Sequence, residues 1–165
     1  MSGSDEELVE RYRATIGRHA AGVSVVALRH GSLDLAMTAT AVASVSLRPP
    51  MVLFCVHTDA RMREVLDEVD TWAVSLLDGT AGVAADRLAA PGRPAFGQLI
   101  GVPHHRGDHS GAALVDAAQG WLECRTAWVR NAGDHDVVVG EVLDAVPGRT
   151  GTGALVHHLG RLRPL

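Results

Sequence analysis

The stretch from Met37 to Val56 decides the reading of this chain. It opens as Met37-Thr38-Ala39-Thr40-Ala41-Val42-Ala43-Ser44-Val45-Ser46, passes through Leu47-Arg48-Pro49-Pro50, and closes as Met51-Val52-Leu53-Phe54-Cys55-Val56. The closing six residues are an unbroken apolar run behind two prolines, the pattern of a buried strand. The opening residues alternate small side chains with hydroxyls. Ala39, Ala41 and Ala43 are small enough to let a ring approach the backbone, and the flanking N–H and C=O groups remain open to it. A flat heterocycle rich in acceptors suits such a platform. The plainer alternative is a polar strand edge with a turn.

Outward from this segment the elements alternate quickly. Toward the N-terminus, Ser4 and Glu7 have capping-box spacing. Leu8, Val9, Tyr12 and Ile16 follow at helical intervals, predicting an amphipathic helix that ends before Gly22. Val23 to Leu28 and Leu33 to Thr38 read as strands around the turn Arg29-His30-Gly31-Ser32. Toward the C-terminus, Thr58 or Asp59 is positioned to cap a helix carrying Met62, Val65, Leu66 and Val69. Thr71 to Leu77 reads as a strand, and Asp78 begins an Ala-rich helix reaching about Ala90. The stretch Pro91 to Gly111 is a long connection rich in Gly, Pro, His and Arg, a length that is often functional. Gln119 to Arg130 and Val137 to Val146 form a long hairpin around Asn131-Ala132-Gly133-Asp134, and Ala154 to His158 is a last short strand. Hairpin neighbours make the sheet mainly antiparallel. The fold class is therefore mainly β, a closed or split antiparallel β-barrel with a few peripheral helices. One domain spans residues 1–165, with the helix over about 1–18 and the barrel over about 19–165.

Composition removes several functions. The chain of 165 residues has room for one core, and its net charge of −4 argues against a nucleic-acid binder. All its Lys-plus-Arg count is arginine. The polar, acidic start is no signal peptide, and no apolar run reaches the ~20 residues of a membrane span. Cys55 and Cys124 are isolated in apolar strands, which fits a reducing compartment and a cytoplasmic location.

Four groups could carry chemistry. The first is the Thr38 to Ser46 platform. The second is His57-Thr58-Asp59-Ala60-Arg61, where a helix start and Arg61 favour phosphate while Asp59 opposes it. The third is Gly133-Asp134-His135, which places a titratable imidazole at the start of a strand. The fourth is His104, His105 and His109 with His157 and His158. Gly107 and Pro103 break the helix that metal spacing would need, so no metal site is expected. No Gly-rich dinucleotide fingerprint and no nucleophile elbow is present.

The order of these segments resembles the short-chain flavin reductases, the reductase components of two-component flavin-dependent monooxygenases. The resemblance rests on Arg18 to Val23, Met37-Thr38-Ala39, Ser44-Val45-Ser46, Pro49-Pro50 and Trp72 to Leu77. It continues through Leu122-Glu123-Cys124-Arg125, Gly133-Asp134-His135, Gly140-Glu141-Val142 and His158-Leu159-Gly160-Arg161. It implies a flavin-binding split barrel, a homodimer, and hydride transfer from NADH or NADPH to FMN or FAD for a separate oxygenase. By position, Met37, Thr38, Ala39, Thr40, Ser44, Val45 and Ser46 would line the flavin ring and ribityl chain. Cys55, Val56, His57, Thr58 and Arg61 would lie toward its phosphate, with His158 also at the flavin. His135 would sit by the nicotinamide as the catalytic residue. A non-catalytic flavin carrier, or a flavoenzyme with its own organic substrate, would use the same fold. A homodimer is also expected because a small split barrel leaves apolar faces uncovered, and Val52, Phe54 and Val138 are not expected to share one internal core.

Overall fold

The computed structural model describes residues 3–94, 96–148 and 151–165. Met1 and Ser2 of the polar start, and Ala95 of the long connection, lie outside the described residues. In chain order the elements are α1 (Gly3–Ile16), β1 (Ala21–Gly22), β2 (Ser24–His30), β3 (Leu33–Ala39), β4 (Val42–Leu47), β5 (Pro50–His57), α2 (Arg61–Val65), β6 (Thr71–Leu77) and α3 (Gly82–Ala89). They continue with β7 (His104–Arg106), β8 (Ala113–Val115), β9 (Ala118–Ala132), β10 (His135–Pro147), β11 (Leu155–His158) and β12 (Arg161–Pro164).

Seven strands form the main sheet in the order β3-β2-β6-β9-β10-β5-β4, with every pairing antiparallel. The outermost strands, β3 and β4, are consecutive in sequence and joined only by Thr40 and Ala41. Side chains from both ends of the sheet share one core: Val26, Leu28 and Leu35 from one end meet Val52, Phe54, Val56 and Val138 from the other, and Met62 and Val65 of α2 join them. The sheet is thus rolled into a barrel that stays open between β3 and β4. A second core lies on the opposite face, where Val25, Ala27 and Leu77 pack against Ala85 and Leu88 of α3, Leu99, Val115 and Leu155. Burial on both faces explains why Ser24 to Leu28 is buried without alternation.

The shared core overturns one expectation. Val52, Phe54 and Val138 do face one interior, because the rolled sheet brings alternate residues of β5 and β10 to the same side. The helices also differ from the sequence reading. α1 buries no residue, and its apolar positions Leu8, Tyr12 and Ile16 are exposed. α2 has only five residues, its N-cap is Ala60 and no side chain caps it, so neither Thr58 nor Asp59 plays that role. Thr58 instead sends its N–H to the Asp134 carbonyl at 3.0 Å. The hairpin loop is shorter than expected: β9 runs to Ala132 and only Gly133 and Asp134 turn, with Gly133 at φ +76°. The long connection is not structureless, since it contains β7 and buries Leu99 and Val102.

Trp72 anchors the barrel interior. It is fully buried, meets Phe54 edge to face at 4.7 Å between ring centroids, and donates its indole N–H to Thr126 Oγ1 at 3.0 Å. The ring takes the space beside Gly140, where a Cβ would come within 2.4 Å of Trp72 Cζ2. Gly140 is therefore required by packing at the irregularity between Val139 and Gly140 in the β9–β10 ladder. Gly140→Ala should overpack this point and destabilise the fold by about 1–3 kcal/mol. Chemical denaturation measures it, and an unchanged midpoint would mean that Trp72 has freedom to move.

Candidate functional site

The seam between β3 and β4 carries the candidate site. Three adjoining cavities share Thr40 as a wall. The largest, about 700 Å³, runs from Tyr12 and Ile16 of α1 past Thr40 and Ala41 to His157. A second, about 290 Å³, lies between Thr38, Ala85 and His157. The third, about 330 Å³, is bounded by Thr38, Ala41, Cys55, His57, Arg93 and His135. Each is of a size that binds small molecules or parts of them.

Two expected groups converge in the third cavity. β10 and β5 pair in a register that sets His135 opposite His57, and their imidazoles meet edge to face at 5.2 Å. Asp134 Oδ1 lies 2.7 Å from His135 Nδ1. This contact holds the Asp134 carboxyl below its usual range. An ionised carboxylate only accepts, so His135 carries its hydrogen on Nδ1 and turns Nε2 to other partners. His57 is set the other way: the Asp59 N–H donates to its Nδ1 at 3.1 Å. The start of β10 is fixed from behind. Arg63 of α2 bonds the Asp136 carboxylate, and Asn131 Nδ2 donates to its other oxygen at 3.0 Å. The Arg63 bond, followed by that of Asn131, keeps the Asp136 carboxyl below its usual range. His135 is thereby held by strand pairing on one side and by this half-buried ion pair on the next residue.

The platform residues divide between the third cavity and the sheet edge. Met37, Thr38, Ala39 and Thr40 do line the third cavity. The Thr38 hydroxyl, however, donates to the Ala85 carbonyl at 2.6 Å, so its donor is committed to docking α3 on β3. Ser44, Val45 and Ser46 lie on β4, the open edge of the sheet, beyond Val42 and Ala43 that line the large cavity. Ser46 Oγ accepts the Arg48 N–H at 3.1 Å.

The remaining residues divide. Cys55 and His57 line the third cavity, whereas Val56 faces the barrel core. That is the two-residue period of β5. Burial pushes the Cys55 thiol up, and the Cys124 thiol, fully buried, is pushed up to about 12 by burial and by Glu123. Neither cysteine is a ready nucleophile. Thr58 holds the turn at Asp134, and Arg61 is exposed and paired with Glu64. In β11 it is His157 that lines two of the cavities, while its neighbour His158 lines none of them. The histidines of the long connection are dispersed: His104 bonds the Val102 carbonyl and His105 bonds Asp116. Among the described residues no group of three or more His, Cys, Asp or Glu comes together to hold a metal. No helix there is long and apolar enough to cross a membrane.

Sequence reasoning missed Arg93 and His157. Arg93 sits in the glycine-rich connection, where no periodicity marks it. His157 adjoins the histidine that was chosen, and the parity of a four-residue strand separates them.

Known proteins align with this chain over nearly its whole length. Residues 16–165 match the family model described as flavin reductase like domain. An NADH-dependent FAD reductase of Streptomyces globisporus is 39% identical over 142 residues, covering 84% of this chain and 78% of that protein. The reductase component of a 4-hydroxyphenylacetate 3-monooxygenase of Thermus thermophilus is 35% identical, covering 86% and 87%. The crystal structure of the flavin reductase component of a bacterial two-component tryptophan halogenase superposes with a TM-score of 0.88 at 37% identity, over 95% of this chain and 98% of that one. The NADH:FAD oxidoreductase of Streptomyces globisporus, in complex with NAD and FAD fragments, superposes at 0.87 with 34% identity, over 97% and 93%.

The commitment of Thr38 to α3 gives a separable expectation. Thr38→Val removes the hydroxyl and leaves the Ala85 carbonyl without this donor. Stability should fall by about 0.5–1.5 kcal/mol, read by urea denaturation, while the cavity keeps its shape. A large loss of flavin affinity with unchanged stability would reverse the assignment and make the hydroxyl a ligand contact.

Proposed function

This chain belongs to the flavin reductase like family, and we propose that it is an NADH:flavin oxidoreductase that supplies reduced FMN or FAD to a separate oxygenase. The observation that carries this reading is one cavity walled by Thr38 to Ala41 on one side and by His57 and His135 on the other. The small side chains of Ala39, Ala41 and Ala89 leave room for a flat ring against the backbone, so the walls fit a flavin. A bound flavin supplies the ring that accepts hydride from NADH.

The protein contributes position. Thr38 to Thr40 support the ring side of the site, and the open edge of β4 at Ser44 to Ser46 extends the platform with unpaired backbone groups. Such preset N–H donors stabilise negative charge that grows on a reduced ring. His135, held by Asp134, orients the nicotinamide and shields the transfer from water. Hydride transfer needs no proton at that step, so His135 acts through placement.

The reading includes a homodimer. Leu47 is 82% exposed and Tyr12 62%, with Ile16 and Val45 also open. The α1 residues line the large cavity at the seam, so a second copy would cover apolar surface and enclose the site. Light scattering at micromolar concentration should give about twice the 17.4 kDa chain mass. A monomer would contradict the dimer. The reading includes a cytoplasmic location, which two free thiols fit because thiols persist in a reducing compartment.

Anaerobic mixing with NADH and FMN or FAD should bleach the flavin absorbance with NADH oxidised in equal amount. No bleaching with either flavin would overturn the function. In stopped flow, His135→Ala should slow flavin reduction about 10- to 100-fold, with little change in flavin affinity, because orientation is lost and the intrinsic hydride chemistry stays. Unchanged reduction and NADH affinity would make His135 an ordinary turn residue.

A further inference from the structure

His57 has a setting that a simple strand end does not require. It closes β5 directly opposite His135, which opens β10. Just beyond the pair, the Thr58 N–H and hydroxyl both donate to the Asp134 carbonyl, at 3.0 and 3.2 Å. The facing imidazoles therefore sit between this tie and the strand ladder, and they meet edge to face at 5.2 Å. Each ring is held by one nitrogen, and the two holds are of opposite kind. At His135 the Asp134 carboxylate accepts from Nδ1, 2.7 Å away. At His57 the Nδ1 is itself the acceptor and takes the Asp59 N–H at 3.1 Å.

A neutral imidazole carries one hydrogen. His135 holds it on Nδ1, which leaves its Nε2 an acceptor. His57 holds it on Nε2, which leaves that nitrogen a donor. Among the described residues neither Nε2 is bonded. Both rings line the same cavity of about 330 Å³, whose walls include no Asp or Glu. Other polar side chains there are already bonded: the Thr38 hydroxyl donates to the Ala85 carbonyl, and Arg93 donates to the carbonyls of Ala36 and Ala90. The fold thus leaves one donor beside one acceptor on two rings fixed before any ligand arrives, an arrangement that lowers the cost of binding. A planar amide, with a carbonyl oxygen next to an N–H, carries the complementary pair. A carboxylate or a phosphate offers acceptors only and would leave the His135 Nε2 without a donor.

We propose that His57 and His135 together recognise a planar amide of the bound redox pair, His57 donating to its carbonyl oxygen and His135 accepting from its N–H. The inference rests on the flavin reductase reading and adds His57 as a specificity-determining residue. The amide is either the carboxamide of the nicotinamide or the N3–H edge of the flavin, each of which sets a carbonyl beside an N–H.

Equilibrium binding tests this without turnover. Riboflavin and N3-methylriboflavin are titrated by fluorescence quenching. NAD+ and its 3-acetylpyridine analogue, in which a methyl group replaces the amide nitrogen, are titrated by calorimetry against the FMN-saturated chain. The wild-type chain should bind the methyl form of one pair about 3- to 10-fold more weakly, the loss of one neutral hydrogen bond. A penalty on the acetylpyridine analogue assigns the nicotinamide carboxamide, and one on N3-methylriboflavin assigns the flavin edge. His135→Phe keeps a ring and removes the acceptor, so the penalty should vanish. His57→Phe removes the donor and should weaken both members of the assigned pair alike, about 3- to 10-fold, while His57→Gln, which restores an N–H, regains affinity. The comparison of the two forms on the wild-type chain needs no variant, so it decides the proposal even where a phenylalanine variant does not fold. No methyl penalty in either pair, a full penalty persisting in His135→Phe, or equal loss of NAD+ and riboflavin in His57→Phe would overturn the proposal. Failure of the wild-type chain to bleach flavin with NADH would sink the functional reading instead, and binding separates the two.

Discussion

Two residues, Thr40 and Ala41, hold together strands that the sheet keeps farthest apart. β3 and β4 are its outermost members, six strand spacings from each other, about 29 Å if the sheet were flat. From Ala39 to Val42 the backbone spans at most about 11 Å. The sheet must therefore roll until its edges nearly meet. The two-residue link leaves them joined covalently but not by a ladder, and the gap becomes a groove. All three cavities around Thr40 follow from that geometry. So does the shared core, in which Leu35 of one edge packs in the same cluster as Val52 and Phe54 near the other. The same seam leaves backbone groups of β3 and β4 without strand partners. Ala36 gives its pair to the long connection, and β4 keeps its edge open.

Polar groups around the seam sort by whether the fold has already used them. Thr38 docks α3, Thr58 holds the hairpin turn, and Arg63 with Asn131 pins Asp136 at the head of β10. Farther away, burial would raise the Glu123 carboxyl, but Ser110 and the His109 N–H outweigh it and hold it low. These bonds fix the frame. His57 and His135 are oriented by the same frame and line one cavity, each with one ring nitrogen held. A rigid surround with a few unspent donors is the arrangement that positions a ligand with little reorganisation.

Much of this was legible in the residues. Apolar runs marked β2, β3, β5 and β6, and the Asn131 to Asp134 turn marked the long hairpin. Met37 to Thr40 and His135 were chosen from separate parts of the chain, and the register of β10 on β5 brings them to one cavity. What escaped depends on tertiary contact. The apolar stripe of α1 predicted burial, yet among the described residues nothing covers it. The choice between His157 and His158 turns on the pairing of β11 with β1, a one-residue parity that two adjacent identical side chains cannot reveal. Arg93 gains its meaning from Ala36, 57 positions away, through a bond between a side chain and a carbonyl. Val52, Phe54 and Val138 were misjudged because a curled sheet has one interior where a flat sheet has two faces.

The central claim is that the seam at Thr40 is where flavin binds. Amide chemical-shift mapping by NMR during titration with oxidised FMN tests it most directly. The largest shifts should fall on Thr38 to Ala43, with His57, Arg93 and His135 following at the same ligand concentrations. Shifts centred instead on the cavity between Asp78, His105, Asp116 and Trp121, with the seam silent, would contradict it.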